Sequence, residues 1–399
     1  MTMRKLYILT GIAVFIIVSI LSGCKKDQES VLTTNISFNG TAQKGPFLNG
    51  SSITVFELDQ NFSQTGKSFS TQITDNLGSF QINSATLISN YISLRADGFY
   101  FNEICGSNSI SQITLNGISD ISNATARHVN ILTHLEKPRV EYLLGTGVPF
   151  DSAKKVAQTD VLNIFNISSS GLANSEYFDI SNPGVGNAIL LAVSSIVQGF
   201  RSESELSSIL AEISNDIRTD GVLNNNSSMS SLIDHAILLD TNSIRNNITN
   251  YYLNFGVTPS IPNFENHIQH FVTNSTFPIT NSVINYPATG TYGDNILDKG
   301  QQVYTGSQFS MKANLKKCSQ FKIRMQLISG SVWGNYISTT NNWNISVYDN
   351  ISKEQFYTVA NPEQPSDLKI TFQAGGVYLI EYFDINLSTP SFSKTFSVN

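Results

Sequence analysis

The chain has 399 residues and a formal net charge of −6, a length that suits about two or three domains. Charged residues make up only 14% of it, which excludes a basic nucleic-acid-binding protein and a highly charged disordered chain. Three cysteines and five histidines exclude a disulfide-rich scaffold and a cysteine-rich zinc module. Only one apolar run approaches bilayer length, so a protein with several membrane spans is excluded as well.

The N-terminus is predicted to be a lipoprotein signal peptide over residues 1–23. Two basic residues precede an apolar run over residues 6–21, the layout of a secretion signal. The run ends in an aliphatic residue, two small residues and a cysteine, namely Leu21, Ser22, Gly23 and Cys24. This tetrapeptide resembles the bacterial lipobox, and the resemblance implies cleavage before Cys24 and diacylation of its thiol. The alternative is an uncleaved anchor helix.

Residues 24–37 are predicted to be a lipidated, solvated tether, because two acyl chains give stable anchoring to a membrane. Lys25 follows the cysteine, at the position where aspartate is the familiar retention residue for the inner membrane. We therefore expect the outer membrane, with the cell surface favoured over the periplasmic face. We expect Cys105 and Cys318 to be buried free thiols, and the alternative is a disulfide between them.

Residues 38–118 show the alternation of short β-strands. Apolar and polar side chains alternate over residues 52–57 and again over residues 91–96, and further strands are predicted at 67–73, 79–82, 99–104 and 111–115. Thr74, Asp75, Asn76, Leu77 and Gly78 form a turn sequence between two of them,. A strand about every ten residues predicts a small β-sandwich.

Three segments of this region resemble a carboxypeptidase-regulatory-like, transthyretin-like domain. They are residues 50–55, residues 74–80 with the sequence TDNLGSF, and residues 94–99 with the sequence LRADGF. The family's pattern is a strand, a TDxxGxF hairpin and a late strand ending in Gly-Tyr or Gly-Phe. With residues 42–47 and 130–135, the stretch 38–270 is similar to an uncharacterised group of bacterial outer-membrane lipoproteins, a likeness that implies no particular activity.

Residues 119–276 change to helical periodicity and predict an all-α domain of six or seven helices. We expect Asn123 to cap the first helix, Pro138 to kink or restart it, and Gly145 to end it. Ser202 and Glu205 have the spacing of a capping box,. Further helices are predicted at 151–165, 187–198, 202–217, 229–239, 241–255 and 263–272.

Residues 285–399 return to strand patterns and predict an immunoglobulin-like β-sandwich, with a jelly-roll-like sandwich as the alternative. Strands are predicted at 308–313, 321–328, 343–348, 355–359, 368–372, 377–383 and 394–398. The predicted fold class is therefore multidomain α and β: a transthyretin-like sandwich, an all-α domain and an immunoglobulin-like sandwich.

The last domain holds the ligand-binding candidates Trp333, Asn335 and Tyr336, in a glycine-rich turn. Aromatic rings beside an amide suit stacking on a sugar ring and hydrogen bonding to its hydroxyls. The alternative is an aromatic residue that folds back to cap the sandwich. His134 and Arg139, in the first helix, are interpreted as hydrogen-bonding residues between that helix and the first β-domain.

No catalytic motif, metal-ligand set or cofactor-binding loop is recognised in the sequence. His267 and His270 are only two candidate ligands, and a metal site needs three or four. We therefore expect a non-catalytic, lipid-anchored cell-envelope protein without cofactors, a surface binding or adhesion module whose partners are the membrane, through its anchor, and a glycan or protein ligand. The first alternative is a periplasm-facing accessory lipoprotein that scaffolds an outer-membrane or secretion complex. The second is a glycan-processing enzyme with two facing carboxylates in a deep pocket of the helical domain.

Overall fold

The computed structural model describes residues 34–122 and 126–280, together with seven strands of the region after residue 307. In these parts the chain combines mostly antiparallel β-sheets with α-helices. This mixed α and β architecture agrees with the predicted fold class at that level. The predicted signal peptide, most of the tether, Trp333 and the strand predicted at 343–348 lie outside the described residues.

Nine strands lie in the first β-region. They are β1 (Thr34–Gln43), β2 (Ser52–Leu58), β3 (Gln64–Gln72), β4 (Ser79–Leu87), β5 (Tyr91–Gly98), β6 (Phe101–Asn102), β7 (Ser107–Asn108), β8 (Ile113–Asp120) and β9 (Val129–Asn130). One sheet has the order β4–β1–β9 and a second has the order β3–β2–β5–β8, while β6 and β7 form a hairpin. The first sheet includes β1, which the sequence analysis did not predict.

The turn between β3 and β4 forms as its sequence indicates. The Asp75 carboxylate accepts hydrogen bonds from the backbone N–H groups of Leu77, at 2.9 Å, and Ser79, at 3.0 Å. Gly78 adopts a φ of +82°, which glycine reaches without the steric cost of a Cβ. The side chain of Phe80 then turns into the core.

Seven α-helices follow within the described residues. They are α1 (Ile131–Gly145), α2 (Phe150–Ile164), α3 (Val185–Gln198), α4 (Glu203–Asp220), α5 (Asn226–Ala236), α6 (Thr241–Asn254) and α7 (Glu265–Asn274). Helix α1 begins later than predicted, because Asn130 caps it through the N–H of Thr133. The helix runs through Pro138 without restarting and ends at Gly145. The Ser202–Glu205 capping box is confirmed at the start of α4.

The sheets and the helices share one hydrophobic core. Buried side chains of the strands, such as Ile53 and Leu94, belong to the same cluster as Leu132 of α1 and Ile189 of α3. Helix α3 supplies a nearly continuous apolar stretch to this core, as expected for a helix buried on all sides. The predicted regions 38–118 and 119–276 therefore pack directly against each other and share this apolar core.

Seven further strands are described after residue 307. They are β10 (Gln308–Ala313), β11 (Gln320–Ser329), β12 (Asn335–Thr340), β13 (Glu354–Thr358), β14 (Ser366–Phe372), β15 (Gly376–Asp384) and β16 (Phe392–Val398). They form two antiparallel sheets, β10–β14–β12 and β13–β11–β15–β16. Asn335 and Tyr336 lie in β12, paired with Phe372 and Thr371. Their prediction as turn residues is therefore wrong, because the ladder with β14 extends back to Asn335.

Candidate functional site

A polar groove of about 570 Å³ lies on the outer face of the β4–β1–β9 sheet. The end of β3 bounds it on one side, and the segment before β9 bounds it on the other. Its lining residues are Asn39, Gly40, Thr41, Thr71, Gln72, Thr74, Ser79, Phe80, Gln81, Asn83, Ala126 and His128. We call this surface the polar groove.

Strand alternation places these side chains on one face of the sheet. In β1, Phe38 is buried while Asn39 is exposed, and in β4 the buried Phe80 is followed by the exposed Gln81. The rings of Phe38 and Phe80 meet edge to face at 6.4 Å beneath the sheet. Because the antiparallel register sets Asn39 opposite Gln81 and Thr41 opposite Ser79, amide lies beside amide and hydroxyl beside hydroxyl on the floor of the groove.

His128 is held in one tautomer at the edge of the polar groove. Its Nδ1 accepts the backbone N–H of Thr41 at 3.0 Å and lies 2.8 Å from the Thr41 hydroxyl. A backbone N–H can only donate, so Nδ1 carries no hydrogen and the neutral ring is protonated at Nε2. Nε2 has no hydrogen-bond partner among the described residues, which leaves one N–H donor available to a ligand.

The polar groove is uncharged at neutral pH. His128 is its only titratable lining residue. Burial lowers the pKa of His128 below its ordinary value, the nearby Arg127 lowers it further, and Asp179 only partly opposes this. The ring is therefore neutral at pH 7. The groove thus offers amides, hydroxyls and one imidazole N–H, each a hydrogen-bonding group without a net charge.

A second pocket, of about 250 Å³, lies in the helical region and contains the two carboxylates of Glu205 and Glu212. Both belong to α4, seven residues apart, so their Cα atoms are separated by about 10 Å along the helix. Glu205 accepts the backbone N–H of Ser202 at 2.9 Å, and Glu212 accepts the hydroxyl of Ser228 at 2.9 Å. The two groups lie side by side on one helix and bind neighbouring chain segments, rather than facing each other across the pocket.

Arg201 lines the same pocket and binds the end of the preceding helix. Its guanidinium donates to the carbonyl oxygen of Val197 at 2.8 Å and to that of Ser231 at 2.6 Å. Burial lowers its pKa to about 10, which still leaves the group charged at neutral pH. A cation at the C-terminus of α3 complements the helix dipole. Arg201 therefore binds backbone carbonyl oxygens of the protein itself and has a structural role.

The two residues predicted to join the helix and the β-domain have different partners. The Nδ1 of His134 accepts the backbone N–H of Asn116 in β8, at 3.2 Å, and so links α1 to the sheet. Arg139 instead donates to the carboxylate of Asp160 in α2, at 2.8 Å, and to the carbonyl oxygen of Thr219 in α4, at 2.6 Å. The expected interdomain role of Arg139 is therefore corrected, because it connects three helices.

The other predicted site residues fall largely outside the described residues. These are Cys24, Trp333 and the lipobox residues, while Asn335 and Tyr336 lie on a strand. Cys105 is disulfide-bonded, so the expectation of a free thiol at this position is wrong. The partner named in the alternative prediction is Cys318, which lies outside the described part of the chain.

The described residues contain no cluster of three or more histidine, cysteine or acidic side chains suited to a metal ion. In the same part of the chain, no helix combines the length and the apolar character needed to cross a membrane. No family model, curated protein or solved structure matches the chain.

Sequence reasoning missed the polar groove. Its residues come from four segments, and each of them is an ordinary polar position on a strand or loop. The one available signal was the alternation in residues 79–83, where polar side chains occupy every second position. That pattern indicates a solvated sheet face but gives no sign of a concave surface.

Proposed function

We propose that this protein is a non-catalytic, lipid-anchored cell-envelope protein that binds a neutral glycan in the polar groove. The observation that carries the proposal is the chemistry of the lining: hydroxyls, amides and one neutral imidazole N–H, without a charged group. A sugar presents the same kinds of group, because each hydroxyl both donates and accepts a hydrogen bond. The floor and walls therefore match a polyhydroxylated, uncharged ligand.

Other ligand classes fit the polar groove less well. A nucleic acid or another polyanion calls for lysine or arginine, and the lining contains neither. An extended peptide gains specificity from apolar pockets for alternate side chains, whereas Phe80 and Ala126 are the only apolar side chains in the lining. Catalysis of glycan cleavage ordinarily requires a pair of carboxylic acids, and this lining has no carboxylate.

The proposal includes the domain architecture and the cellular location inferred from the sequence. The first β-region is proposed to be transthyretin-like, with the helical region packed on it, and the last region is proposed to be an immunoglobulin-like sandwich. Diacylation of Cys24 is proposed to hold the protein at the outer membrane, with the chain displayed at the cell surface. In this arrangement the tether positions the polar groove for ligands outside the membrane.

The test is binding of the full-length, detergent-purified protein to an array of neutral and charged oligosaccharides. A Gln81→Ala/Asn83→Ala variant removes two exposed amides from the groove and leaves the core untouched. Each lost hydrogen bond is worth about 1 kcal/mol, so we expect affinity to fall about 10- to 30-fold. The matched control is Asn266→Ala, which removes an exposed amide from α7 outside the groove and should bind as the wild type does.

The experiment also separates the alternatives. Equal binding by the wild type and the groove variant would contradict the proposal. If no neutral glycan binds, and an outer-membrane protein co-purifies reproducibly with the chain, the accessory-scaffold function replaces it. Release of free sugar during incubation would instead favour the enzyme.

A further inference from the structure

A cleft of about 360 Å³ lies between the β6–β7 hairpin and helix α6. We call it the amide cleft, because four of its eight lining residues are asparagines. The lining consists of Phe101, Gly106, Ser107, Asn108, Asn247, Asn250, Tyr251 and Asn254. Its only ionisable lining residue is Tyr251, whose pKa burial raises further above the neutral range, so the cleft, like the polar groove, is uncharged at neutral pH.

Helix α6 presents its amides as a row. Asn247, Asn250 and Asn254 stand at positions i, i+3 and i+7, which lie on one helix face. With a rise of 1.5 Å per residue, successive amides are separated by about 4.5 Å and about 6 Å along the helix axis. Asn250, Asn254 and Asn108 are exposed. The row therefore offers amide donors and acceptors at intervals comparable to the length of one sugar unit.

An aromatic pair adjoins the row. The ring of Tyr251 is stacked on Phe101 with centroids 3.9 Å apart, and the half-exposed Phe255 meets Tyr251 edge to face at 5.2 Å. Amides beside aromatic rings supply both polar contacts and an apolar surface for the faces of sugar rings. Phe101 and Tyr251 are themselves buried, so the apolar surface beside the row is that of the half-exposed Phe255.

The walls of the amide cleft are fixed before any ligand arrives. The Asn247 amide donates to the carbonyl oxygen of Glu103 at 3.0 Å, and the Glu103 carboxylate is bound by the buried Lys44 at 2.6 Å. Gly106 has a φ of +64°, and a Cβ there would lie 2.8 Å from the side-chain oxygen of Asn247. The adjacent Cys105 is disulfide-bonded. A pre-formed cleft loses less conformational entropy on binding.

The amide cleft and the polar groove meet at the same turn. The Tyr251 hydroxyl, in the cleft, donates to the carbonyl oxygen of Asn76 at 2.7 Å. Thr74 and Ser79, on either side of that turn, line the groove. One β-turn therefore separates two uncharged, hydrogen-bonding surfaces built from different elements.

We infer that the amide cleft is a second glycan-binding site, and that one neutral polysaccharide chain occupies the cleft and the polar groove together. The inference rests on the proposed function of the groove, and it adds a second site and a preference for long ligands. Binding at the second site is then intramolecular, and such linkage raises affinity by about 10²- to 10⁴-fold when one ligand reaches both sites. Short oligosaccharides, which fill one site at a time, gain none of this.

The test compares ligand length between two double variants of the full-length protein. The probes are neutral gluco-oligosaccharides of about two to twelve units, in α-1,4, β-1,3 and β-1,4 linkages. Asn250→Ala/Asn254→Ala alters the cleft at exposed helical positions, where alanine favours the helix, and Gln81→Ala/Asn83→Ala alters the groove. Asn266→Ala serves again as the exposed-amide control. Circular dichroism and thermal melting verify the fold of each variant.

For the wild type we expect affinity to rise at least 100-fold from the shortest to the longest oligosaccharide of the bound linkage. Each double variant should reduce this rise by about 10- to 30-fold and retain the weak binding of short chains at the unaltered site. If the cleft variant matches the wild type at every length while the groove variant loses binding, the second site is refuted and the function proposed for the groove stands. If the groove variant matches the wild type, the proposed function fails. If no oligosaccharide of the series binds, both fail.

Discussion

Protonation of His134 should weaken the contact between helix α1 and the sheet in mild acid. The Nδ1 of this ring accepts the Asn116 N–H of β8 at 3.2 Å, so it must carry no hydrogen. Burial lowers the pKa of His134 from 6.5 to about 4, and the charge of Lys137 adds to this effect. A proton on Nδ1 would set two donors against each other inside the core.

The size of the effect follows from linkage. The unfolded state takes up the proton below its pKa of 6.5, whereas the folded state resists it down to about 4. The stabilising contribution is therefore complete above pH 6.5 and is lost progressively as the pH falls towards 4. At pH 4.5 the loss amounts to about 2.5 kcal/mol, and it approaches about 3 kcal/mol at lower pH.

Hydrogen exchange measures this loss where it occurs. Opening free energies for peptides covering β8 and α1 would be compared at pH 7.0 and pH 4.5, in the wild type and in His134→Asn. Asparagine keeps an acceptor near the Nδ1 position but does not titrate, so the variant should lack about 2.5 kcal/mol of the wild type's acid-induced loss. A constant difference between wild type and variant at the two pH values would refute the reasoning, whatever the variant's baseline stability.

Three further predictions concern a buried ion pair, the polar groove and the anchor. Lys44→Met should destabilise the protein by about 3–5 kcal/mol, because it leaves the Glu103 carboxylate buried without its cation; Lys44→Met/Glu103→Leu should recover much of this in thermal or chemical unfolding. Glycan affinity should stay constant from pH 8 to pH 6.5 and fall in more acidic solution, because protonation of His128 at Nδ1 breaks its bond to the Thr41 N–H and places a charge at the groove,; titration calorimetry over this range would show it. Cys24→Ala should move the protein from the membrane fraction to the soluble fraction and abolish labelling with palmitate, and an unchanged distribution would contradict the lipobox interpretation.

Much of the fold was predictable wherever a local pattern determined the structure. The turn at Asp75 and the capping box at Ser202 depend on hydrogen bonds within a few residues, and both form. Strand β1 was missed because its sequence, TNISFNGTAQ, is rich in small and polar residues and carries a weak strand signal. The start of α1 was misplaced because the asparagines at 123 and 130 both suit a cap; Asn130 forms a reciprocal capping box with Thr133, and Asn123 lies outside the described residues.

The candidate site was much less predictable than the fold. Asn39 and Gln81 become neighbours only through the register of β1 with β4. His128 joins them from a third segment, through Thr41. Sequence patterns report the periodicity of one element at a time, whereas a groove is produced by the pairing of several. The binding site was predicted in the last domain because aromatic residues occur there. The polar groove is instead lined mainly by uncharged polar residues on a sheet face.

The segment 42–47, with the sequence AQKGPF, stood out only through a resemblance, and the structure supplies a physical reason for it. Gln43 is fully buried and spans to the helical region, where its amide donates to Asp179 at 2.8 Å and accepts the Ile180 N–H at 3.1 Å. Lys44 is also fully buried and pairs with Glu103, while its carbonyl oxygen accepts the hydroxyl of Ser194.

Burying such polar groups costs folding free energy unless each one has a hydrogen-bond partner. The sheet and helices must therefore be arranged so that every partner is in reach. The bonds of the Gln43 amide to Asp179 and Ile180, and of the Lys44 carbonyl oxygen to Ser194, join the end of β1 and the turn after it to the helical region. This connection matters for both proposed sites. The Glu103 carbonyl oxygen accepts the Asn247 amide and so ties the β6–β7 hairpin, one wall of the amide cleft, to helix α6. The turn after β3 contacts both proposed sites. A change in the AQKGPF segment should therefore alter glycan binding at a distance, through the relative position of the groove and the cleft, even though the segment contributes no side chain to either.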